Sequence, residues 1–227
     1  KKKNIGFSKA ANQGISECDT EYLLILGADC LITYSDIEQL MLAKEKYKDC
    51  FLTSPTIYDH SGKLTYNGGP LNENSPKNEV IKNSGDVCVD SVLTTAILFK
   101  VKDIINIGLL DEEFFLYFLD IDLCKRIKSI KKSIIQVYSS KAIHETGHLK
   151  VKNRFKKIFF RNFYFDCEEL YYLYKNNLHE KKYNILKKKI PKFIFKFFIN
   201  LLIIRFDKSI YYLSKLLAFY KFRKFTK

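Results

Sequence analysis

The chain has 227 residues, of which 47% are hydrophobic and 15% aromatic, and its formal net charge is +14. This apolar content excludes a disordered chain, and it suffices for one sizeable core with an appendage or for two small domains. The charge is uneven. The chain has 39 basic residues (Lys and Arg) and 25 acidic residues (Asp and Glu). Residues 151–227 contain 20 of the basic and 5 of the acidic residues, which leaves 19 basic and 20 acidic residues in residues 1–150. We therefore predict a near-neutral domain over residues 1–150 and a basic domain over residues 151–227.

The six cysteines are widely spaced, form no C-x-x-C pair, and lie at positions 18, 30, 50, 88, 124 and 167. Several fall in apolar stretches, where free thiols pack as small hydrophobic groups, so the sequence predicts free cysteines and a reducing cytosol. The chain opens with three lysines, without Met and without the apolar run of a signal peptide. We expect it to start inside a longer protein.

Helical and strand patterns alternate along the first domain. In chain order, they predict a helix over 4–15, a strand over 21–26, a helix over 36–47, strands over 51–58 and 87–100, helices over 101–107 and from 120, and a last strand over 133–138. A hairpin turn is expected at residues 59–62, before a loop over residues 67–86. Ser35 and Glu38 form a capping-box pattern at the second helix. The alternation predicts an α/β sheet packed by helices.

Three aspartates and one histidine are candidates for chemistry. Asp29 ends a buried strand, at the edge of an α/β sheet where ligands bind, although an acid there also suits a simple turn. Asp120 and Asp122 follow an aromatic stretch and open a helix, where capping and the helix dipole favour acids whatever the protein does. His144 follows the last strand, and the residue type fits either a ligand or a hydrogen-bonded polar residue.

Several short motifs stand in a fixed order in the first domain. They are Asn4-Ile5-Gly6-Phe7, Asn12-Gln13-Gly14, Leu26-Gly27-Ala28-Asp29, the apolar strand from Val89 to Phe99, Gly108 to Tyr117, Leu119 to Cys124, and the strand and histidine from Ile134 to His144. In order and spacing they resemble the family 2 glycosyltransferases of the GT-A fold, in their rhamnosyltransferase-like branch. The resemblance covers residues 4–150. It implies an α/β, GT-A-like (Rossmann-like) mixed sheet flanked by helices, to which the composition adds a C-terminal amphipathic helical tail.

The resemblance implies an inverting hexosyltransferase of bacterial cell-envelope polysaccharide biosynthesis. Such an enzyme moves a sugar from a nucleotide diphosphate sugar to a lipid-linked or cell-surface glycan. Asp29 matches the family's metal-binding aspartate, so it is expected to hold Mg²⁺ or Mn²⁺ on the donor diphosphate, with His144 near the metal or the diphosphate. Asp120 matches the general base that takes the acceptor's proton. Supporting roles are expected for Asp122, which caps the helix, and on the acceptor side for Asp90, Thr94 and Thr95.

Two positions depart from the family pattern, and one region has no counterpart. Leu119 stands where the family usually has an acid before its base, and Gly27 stands where it often has Asn or Asp. Both departures remove polar support from the expected site. The family's first strand, with its contacts to the nucleotide base, has no counterpart before Lys1. A catalytically inactive, truncated remnant of the fold is therefore the first alternative.

The basic domain combines charge with aromatic and aliphatic residues. Lys188, Lys192, Lys196 and Asn200 recur every four residues, which places them on one face of a predicted helix, and Pro191 suits its first turn. The uncharged run from Phe197 to Ile204 is far shorter than the ~20 residues that span a bilayer. We therefore expect this tail to lie in a membrane interface.

Each cationic side chain near an anionic leaflet contributes about 1 kcal/mol, so the tail is predicted to hold the protein on the inner face of the cell membrane. This makes the protein cytoplasmic and peripheral. Alternatives are a helical subdomain packed on the first domain, a homodimer contact, or a membrane- or polyanion-binding module without chemistry. We expect no nucleic-acid partner, because neither a helix-turn-helix nor a zinc pattern accompanies the charge.

Overall fold

The fold is seen in a computed structural model, which describes residues 4–65, 68–69, 84–144 and 153–225. The chain divides into two compact units. The sheet unit consists of Lys1–Glu112 and Leu119–His148, and the helical unit consists of Glu113–Phe118 and Leu149–Lys227.

The described part of the sheet unit contains eight strands and four helices. They are α1 (Phe7–Ser16), β1 (Tyr22–Leu26), β2 (Cys30–Ile32), α2 (Tyr34–Lys46), β3 (Cys50–Tyr58), β4 (Gly68–Gly69), β5 (Val87–Val89), β6 (Ser91–Val92), β7 (Ala96–Lys100), α3 (Val101–Asn106), α4 (Leu119–Ser129) and β8 (Ser133–His144). The main sheet has the order β1-β7-β3-β8-β2, with β5 also paired to β8. Strands β3 and β8 are parallel and the other pairs antiparallel. The predicted fold class, a mixed α/β sheet flanked by helices, is confirmed.

The predicted long strand over residues 87–100 is wrong, because the chain leaves the main sheet after β5. Strand β6 pairs instead with β4 in a separate two-stranded sheet, and Asp90 N–H donates to Gly69 O at 3.1 Å. A Cβ at Gly68 would lie 2.5 Å from Ser91 O, so this close pairing needs glycine. Much of the loop predicted over residues 67–86 lies outside the described residues.

The predicted capping box of Ser35 and Glu38 is also wrong. Helix α2 begins at Tyr34, and the Thr33 side chain caps it by accepting from Asp36 N–H at 3.2 Å. The Asp36 carboxylate in turn accepts from Lys141 N–H at 2.8 Å. Lys141 lies where the register of β3 against β8 shifts, so α2 holds the irregular middle of β8. Beyond that point β8 continues to His144, past the predicted end at Tyr138.

Two apolar clusters stabilise the sheet unit. The first joins α2 to the sheet and contains Leu40, Ala43, Cys50, Leu98, Ile135 and Val137. The second, near the ends of β2 and β8, contains Cys30, Ile57, Ala96 and Ala142. Burying one large aliphatic side chain contributes about 1.5–3 kcal/mol, so these clusters fix the strands that carry the candidate residues. All six cysteines are free thiols.

The described part of the helical unit contains three long helices, α5 (Arg154–Lys175), α6 (His179–Leu202) and α7 (Phe206–Phe222). Helices α5 and α6 both pack on α7, around Leu170, Phe219 and Phe222. Pro191 lies inside α6, not in its first turn as predicted, and Asn200, which was predicted on one helix face with Lys188, Lys192 and Lys196, is buried. None of the helices in the described ranges combines the length and apolar character that a bilayer crossing needs.

Candidate active site

Asp29 lies in the tight turn between β1 and β2. Gly27 N–H donates to Thr95 O at 2.8 Å, which extends the β1–β7 pairing by one bond, and Cys30 N–H donates to Gly27 O at 2.9 Å. These two bonds turn the chain from one strand into the next. The Asp29 side chain remains 45% exposed, so its carboxylate is available to a ligand.

His144 lies beside Asp29 because of strand register. It is the last residue of β8, and β2 pairs with β8 so that Cys30 lies opposite His144. The Nε2 atom of His144 is 3.5 Å from Oδ1 of Asp29. Two residues far apart in the sequence are therefore brought together at the edge of the sheet.

The glycine at position 27 makes room for this arrangement. A Cβ there would lie 3.0 Å from Asp29 Oδ1 and 3.5 Å from Thr95 O, so the Asp29 carboxylate occupies the space that a side chain would need. The departure from the family pattern at this position is thus coupled to where the carboxylate points.

Asp120 lies in the first turn of α4, and its Oδ1 accepts from Ile121 N–H at 2.9 Å. Burial raises the pKa of Asp120 to about 6, and the backbone hydrogen bonds oppose this only in part. A carboxylate with this pKa is ionised at neutral pH but is a stronger base than an exposed aspartate. Leu119 beside it is buried, so an acid at that position would have to be desolvated.

The chain near Asp29 and the chain near Asp120 both bond to one short segment, residues 92–95. Thr95 O accepts from Gly27 N–H near Asp29, and Val92 O accepts from the Cys124 thiol, one turn after Asp120, at 3.9 Å. Two carbonyls three residues apart are separated by at most about 10 Å. The chain two residues before Asp29 and the residue one turn after Asp120 therefore both bond to the segment of residues 92–95.

The predicted supporting residues differ in their surroundings. Asp122 is buried and accepts from Arg126 Nε at 2.9 Å, and the same guanidinium donates to Ile107 O and Leu109 O. Asp90 pairs with Lys128 in the last turn of α4. Thr94 and Thr95 are half-buried in the turn before β7. Asp122 thus anchors α4 to the segment before it.

Sequence reasoning missed two buried polar residues that hold neighbouring segments of the chain. Asn12 in α1 forms a paired contact with Leu110, donating to its carbonyl at 2.8 Å and accepting from its N–H at 3.0 Å. It also donates to Glu112 Oε1 at 3.2 Å. Its place in the Asn12-Gln13-Gly14 motif was the only available signal, since sequence gives no contact partner.

The second missed residue, Glu168 in α5, belongs to the helical unit. Its buried carboxylate accepts three backbone N–H groups, from Phe115 at 3.0 Å, Leu116 at 3.1 Å and Tyr117 at 2.6 Å. Burial raises the pKa of Glu168, and these hydrogen bonds act against that rise. Phe118 follows with φ of 62°, a strained value for a bulky residue, and its ring packs on Phe165 and Tyr172.

A cavity of about 570 Å³ lies elsewhere in the sheet unit. Its lining includes Lys44, Lys100, Asp103 and Lys132. Lys100 pairs with Tyr22 at the start of β1, whereas Asp29 follows the end of β1. This cavity therefore lies at the opposite end of the strands from Asp29. Lys44 already donates to Cys50 O at 2.6 Å and to Asp103 at 3.2 Å. None of Asp29, His144 and Asp120 lines this cavity. We keep the candidate site at these three residues, and the cavity is not part of it.

The donor atoms of Asp29 and His144 fit a hard divalent ion that keeps most of its other ligands from outside the protein. Adjacent ligands of an octahedral ion at 2.0–2.1 Å lie about 3 Å apart, close to the 3.5 Å separation here. Within the described ranges, no group of three or more His, Cys, Asp or Glu is arranged to hold a metal ion. The pair therefore fits Mg²⁺ or Mn²⁺ bound mainly through substrate phosphates and water.

Comparison with known proteins gives one family match. The family model described as glycosyl transferase family 2 matches residues 1–101. Among solved structures, the crystal structure of GalNAc-T7 with UDP, GalNAc and Mn²⁺ is similar with a TM-score of 0.49 and 14% sequence identity, over 63% of this chain and 31% of that chain. No curated protein matches the sequence.

Proposed function

The chain contains a family 2 glycosyltransferase-like domain, and from that premise we propose that it is an inverting glycosyltransferase. It would use a nucleotide diphosphate sugar as donor and a lipid-linked or cell-surface glycan as acceptor. The observation that carries the proposal is the 3.5 Å approach of His144 to Asp29 at the end of β1, where the sheet edge is open to a ligand.

In the proposed reaction, the acceptor hydroxyl oxygen attacks the anomeric carbon from the face opposite the diphosphate. The bond from that carbon to the phosphate oxygen breaks, and the nucleoside diphosphate leaves with the electron pair. Asp120 takes the hydroxyl proton, a role that suits its pKa of about 6. Asp122 holds α4 through Arg126 and so positions the base.

Asp29 and His144 are the residues that would hold Mg²⁺ or Mn²⁺ with the donor diphosphate. When bound, such an ion stabilises the negative charge on the leaving diphosphate. Asp29 would supply a carboxylate oxygen and His144 an imidazole nitrogen, and these two atoms lie 3.5 Å apart. Thr94, Thr95 and Asp90 are proposed to line the acceptor side.

The proposal includes action at the cytoplasmic, inner face of the cell membrane, where a lipid-linked acceptor would be reached. The support is the basic helical unit, whose lysines and arginines favour an anionic surface. The alternative that the domain is a catalytically inactive remnant predicts a folded chain without nucleotide binding, and the same titration tests both.

The test is calorimetric titration of the full chain with UDP, GDP and dTDP, each with and without Mn²⁺. We expect Mn²⁺-dependent binding of at least one nucleotide, weakened about tenfold or more by Asp29→Asn and by His144→Ala. Asp19→Asn, which changes an exposed acid in the same unit, is the matched control and should bind like the wild type.

Three results would count against the proposal. Absence of binding to all three nucleotides favours the inactive remnant. Equal binding by wild type and Asp29→Asn removes Asp29 from the site. Where binding is found, the anomeric configuration of a transferred sugar, read by NMR, tests inversion, and retention would exclude the role given to Asp120.

A further inference from the structure

One end of the helical unit carries a cluster of apolar side chains on its surface. This cluster, called the apolar tip, lies on the last turns of α6, the α6–α7 turn and the start of α7, and consists of Phe195, Phe198, Leu202, Ile203, Ile204 and Phe206. Leu202 is 79% exposed, Ile204 72% and Phe195 65%. Single exposed apolar residues are common on protein surfaces, but a contiguous cluster of this kind marks a binding surface.

The turn at the centre of the apolar tip places an exposed isoleucine in a strained backbone conformation. Ile204 N–H donates to Leu201 O at 3.2 Å and Arg205 N–H donates to Asn200 O at 2.8 Å, the two bonds of a Schellman motif. Ile204 occupies the left-handed position of that motif, with φ of 57°, where glycine is strongly preferred. A β-branched residue is strained there, and its exposed side chain gains nothing from the protein core.

An isoleucine at this position is explained if its side chain is buried in a binding partner instead of in the protein's own core. The same motif at the opposite end of α6 uses a more tolerant residue. Asn177, with φ of 59°, ends α5, and Leu178 N–H donates to Leu173 O at 2.8 Å. Asparagine tolerates the left-handed conformation well. The strain of a β-branched residue is therefore found at the apolar tip and not at the α5–α6 turn.

Charges beside the apolar tip indicate what covers it. The start of α5 lies at the same end, because Phe155 contacts Phe206 with ring centroids 6.3 Å apart and Arg154 pairs with Asp207. Cationic side chains at this end are Arg154, Lys156, Lys157, Arg205 and Lys208. Asp207 is the single acid among residues 153–161 and 195–208, and it is paired with Arg154. Apolar side chains bordered by cations match an anionic lipid surface.

We propose that the apolar tip inserts into the interface of an anionic membrane, with the bordering lysines and arginines on the lipid headgroups. The inserting surface is thus the end of the helix hairpin, rather than the long face of α6 that contains Lys188, Lys192 and Lys196. The contact follows from the helical unit alone and does not depend on sugar transfer by the sheet unit.

The test compares two glycine variants of the full chain by flotation with vesicles of phosphatidylcholine alone or with 30% phosphatidylglycerol, a composition that gives an anionic surface of about −30 mV or more. Ile204→Gly relieves the left-handed strain and removes the inserted side chain. We expect a higher melting temperature together with a loss of about tenfold in partitioning to the anionic vesicles. Asn177→Gly is the matched control, and we expect it to leave partitioning unchanged.

Leu202→Ser provides a second variant that leaves the turn intact, with an expected loss of similar size. Wild-type binding should require phosphatidylglycerol and weaken with salt. Unchanged partitioning by Ile204→Gly and Leu202→Ser would overturn the proposal, as would equal binding to neutral vesicles. Dimerisation that Leu202→Ser abolishes, in a chain that does not float, would instead assign the apolar tip to a second copy. Binding to single-stranded DNA but not to vesicles would assign the cations to a polyanion.

Discussion

Replacing Asp120 by asparagine tests whether the proposed base is held in a desolvated state. Asparagine has nearly the same shape and can still accept the hydrogen bond from Ile121 N–H. It cannot ionise. The variant therefore removes the charge at this position while keeping the local geometry of α4.

The expected size follows from the raised pKa. Raising the pKa of Asp120 from its ordinary 3.8 to about 6 corresponds to about 3 kcal/mol of unfavourable free energy for the ionised form in the fold. Between pH 3.8 and about pH 6, Asp120 holds more of its proton in the folded chain than in the unfolded chain. Its contribution to the free energy of unfolding therefore falls as the pH rises from 3.8 to about 6. It is lost fully above about pH 6.

We expect Asp120→Asn to raise the free energy of unfolding at pH 8 by about 1–3 kcal/mol and to change it little at pH 4 or below. Urea denaturation followed by circular dichroism at both pH values measures this, with the exposed Asp19→Asn as control. The same variant should abolish transfer, and transfer by the wild type should rise with pH up to about 6 and then level.

The reasoning would be refuted by a variant that is less stable than the wild type at pH 8, or by a gain of equal size at both pH values. Either result means that the Asp120 carboxylate is not held away from water in the fold. A gain at pH 8 with full transfer activity would leave the desolvation intact but remove Asp120 as the base.

Two further predictions concern Gly27 in the sheet unit and Glu168 in the helical unit. Gly27→Ala should weaken Mn²⁺-dependent nucleotide binding, because its Cβ would lie 3.0 Å from Asp29 Oδ1, while the melting temperature changes little; calorimetry and thermal denaturation measure the two effects, and unchanged binding would show that the carboxylate need not lie there. Glu168→Gln should destabilise the chain by about 1–3 kcal/mol, because an amide NH₂ would face backbone donors from Phe115 and Tyr117; urea denaturation measures this, and a neutral outcome would mean that Glu168 does not anchor the segment.

Local sequence patterns were enough to predict most of the sheet unit. Strand β3 and helix α2 follow from an apolar run and an amphipathic repeat, which are properties of the segments themselves. Free cysteines and the turn at Asp59 were equally local, since Asp59 accepts from Ser61 N–H at 2.9 Å and Lys63 N–H at 3.0 Å. Patterns of this kind need no knowledge of what the segment pairs with.

The errors arose where a distant partner decides the structure. Residues 87–100 have the composition of one strand, but β6 pairs with β4, and only tertiary pairing breaks the run. The residue that caps α2 is Thr33 rather than Ser35, and sequence alone does not distinguish two hydroxyl residues that lie two positions apart. The approach of Asp29 to His144 depends on the pairing of β2 with β8, and β2 is too short to be found from its pattern.

The chain itself connects the proposed base to the helical unit. Glu113–Phe118 clusters with that unit, where Phe114 is fully buried and Glu168 holds three consecutive backbone N–H groups. Leu119, the next residue, begins α4 and belongs to the sheet unit, and Asp120 follows it. One end of the segment that leads into the base is therefore fixed by α5, whose residues lie far along the sequence. The three hydrogen bonds to Glu168 therefore hold the chain within the helical unit up to Tyr117, two residues before α4 begins in the sheet unit.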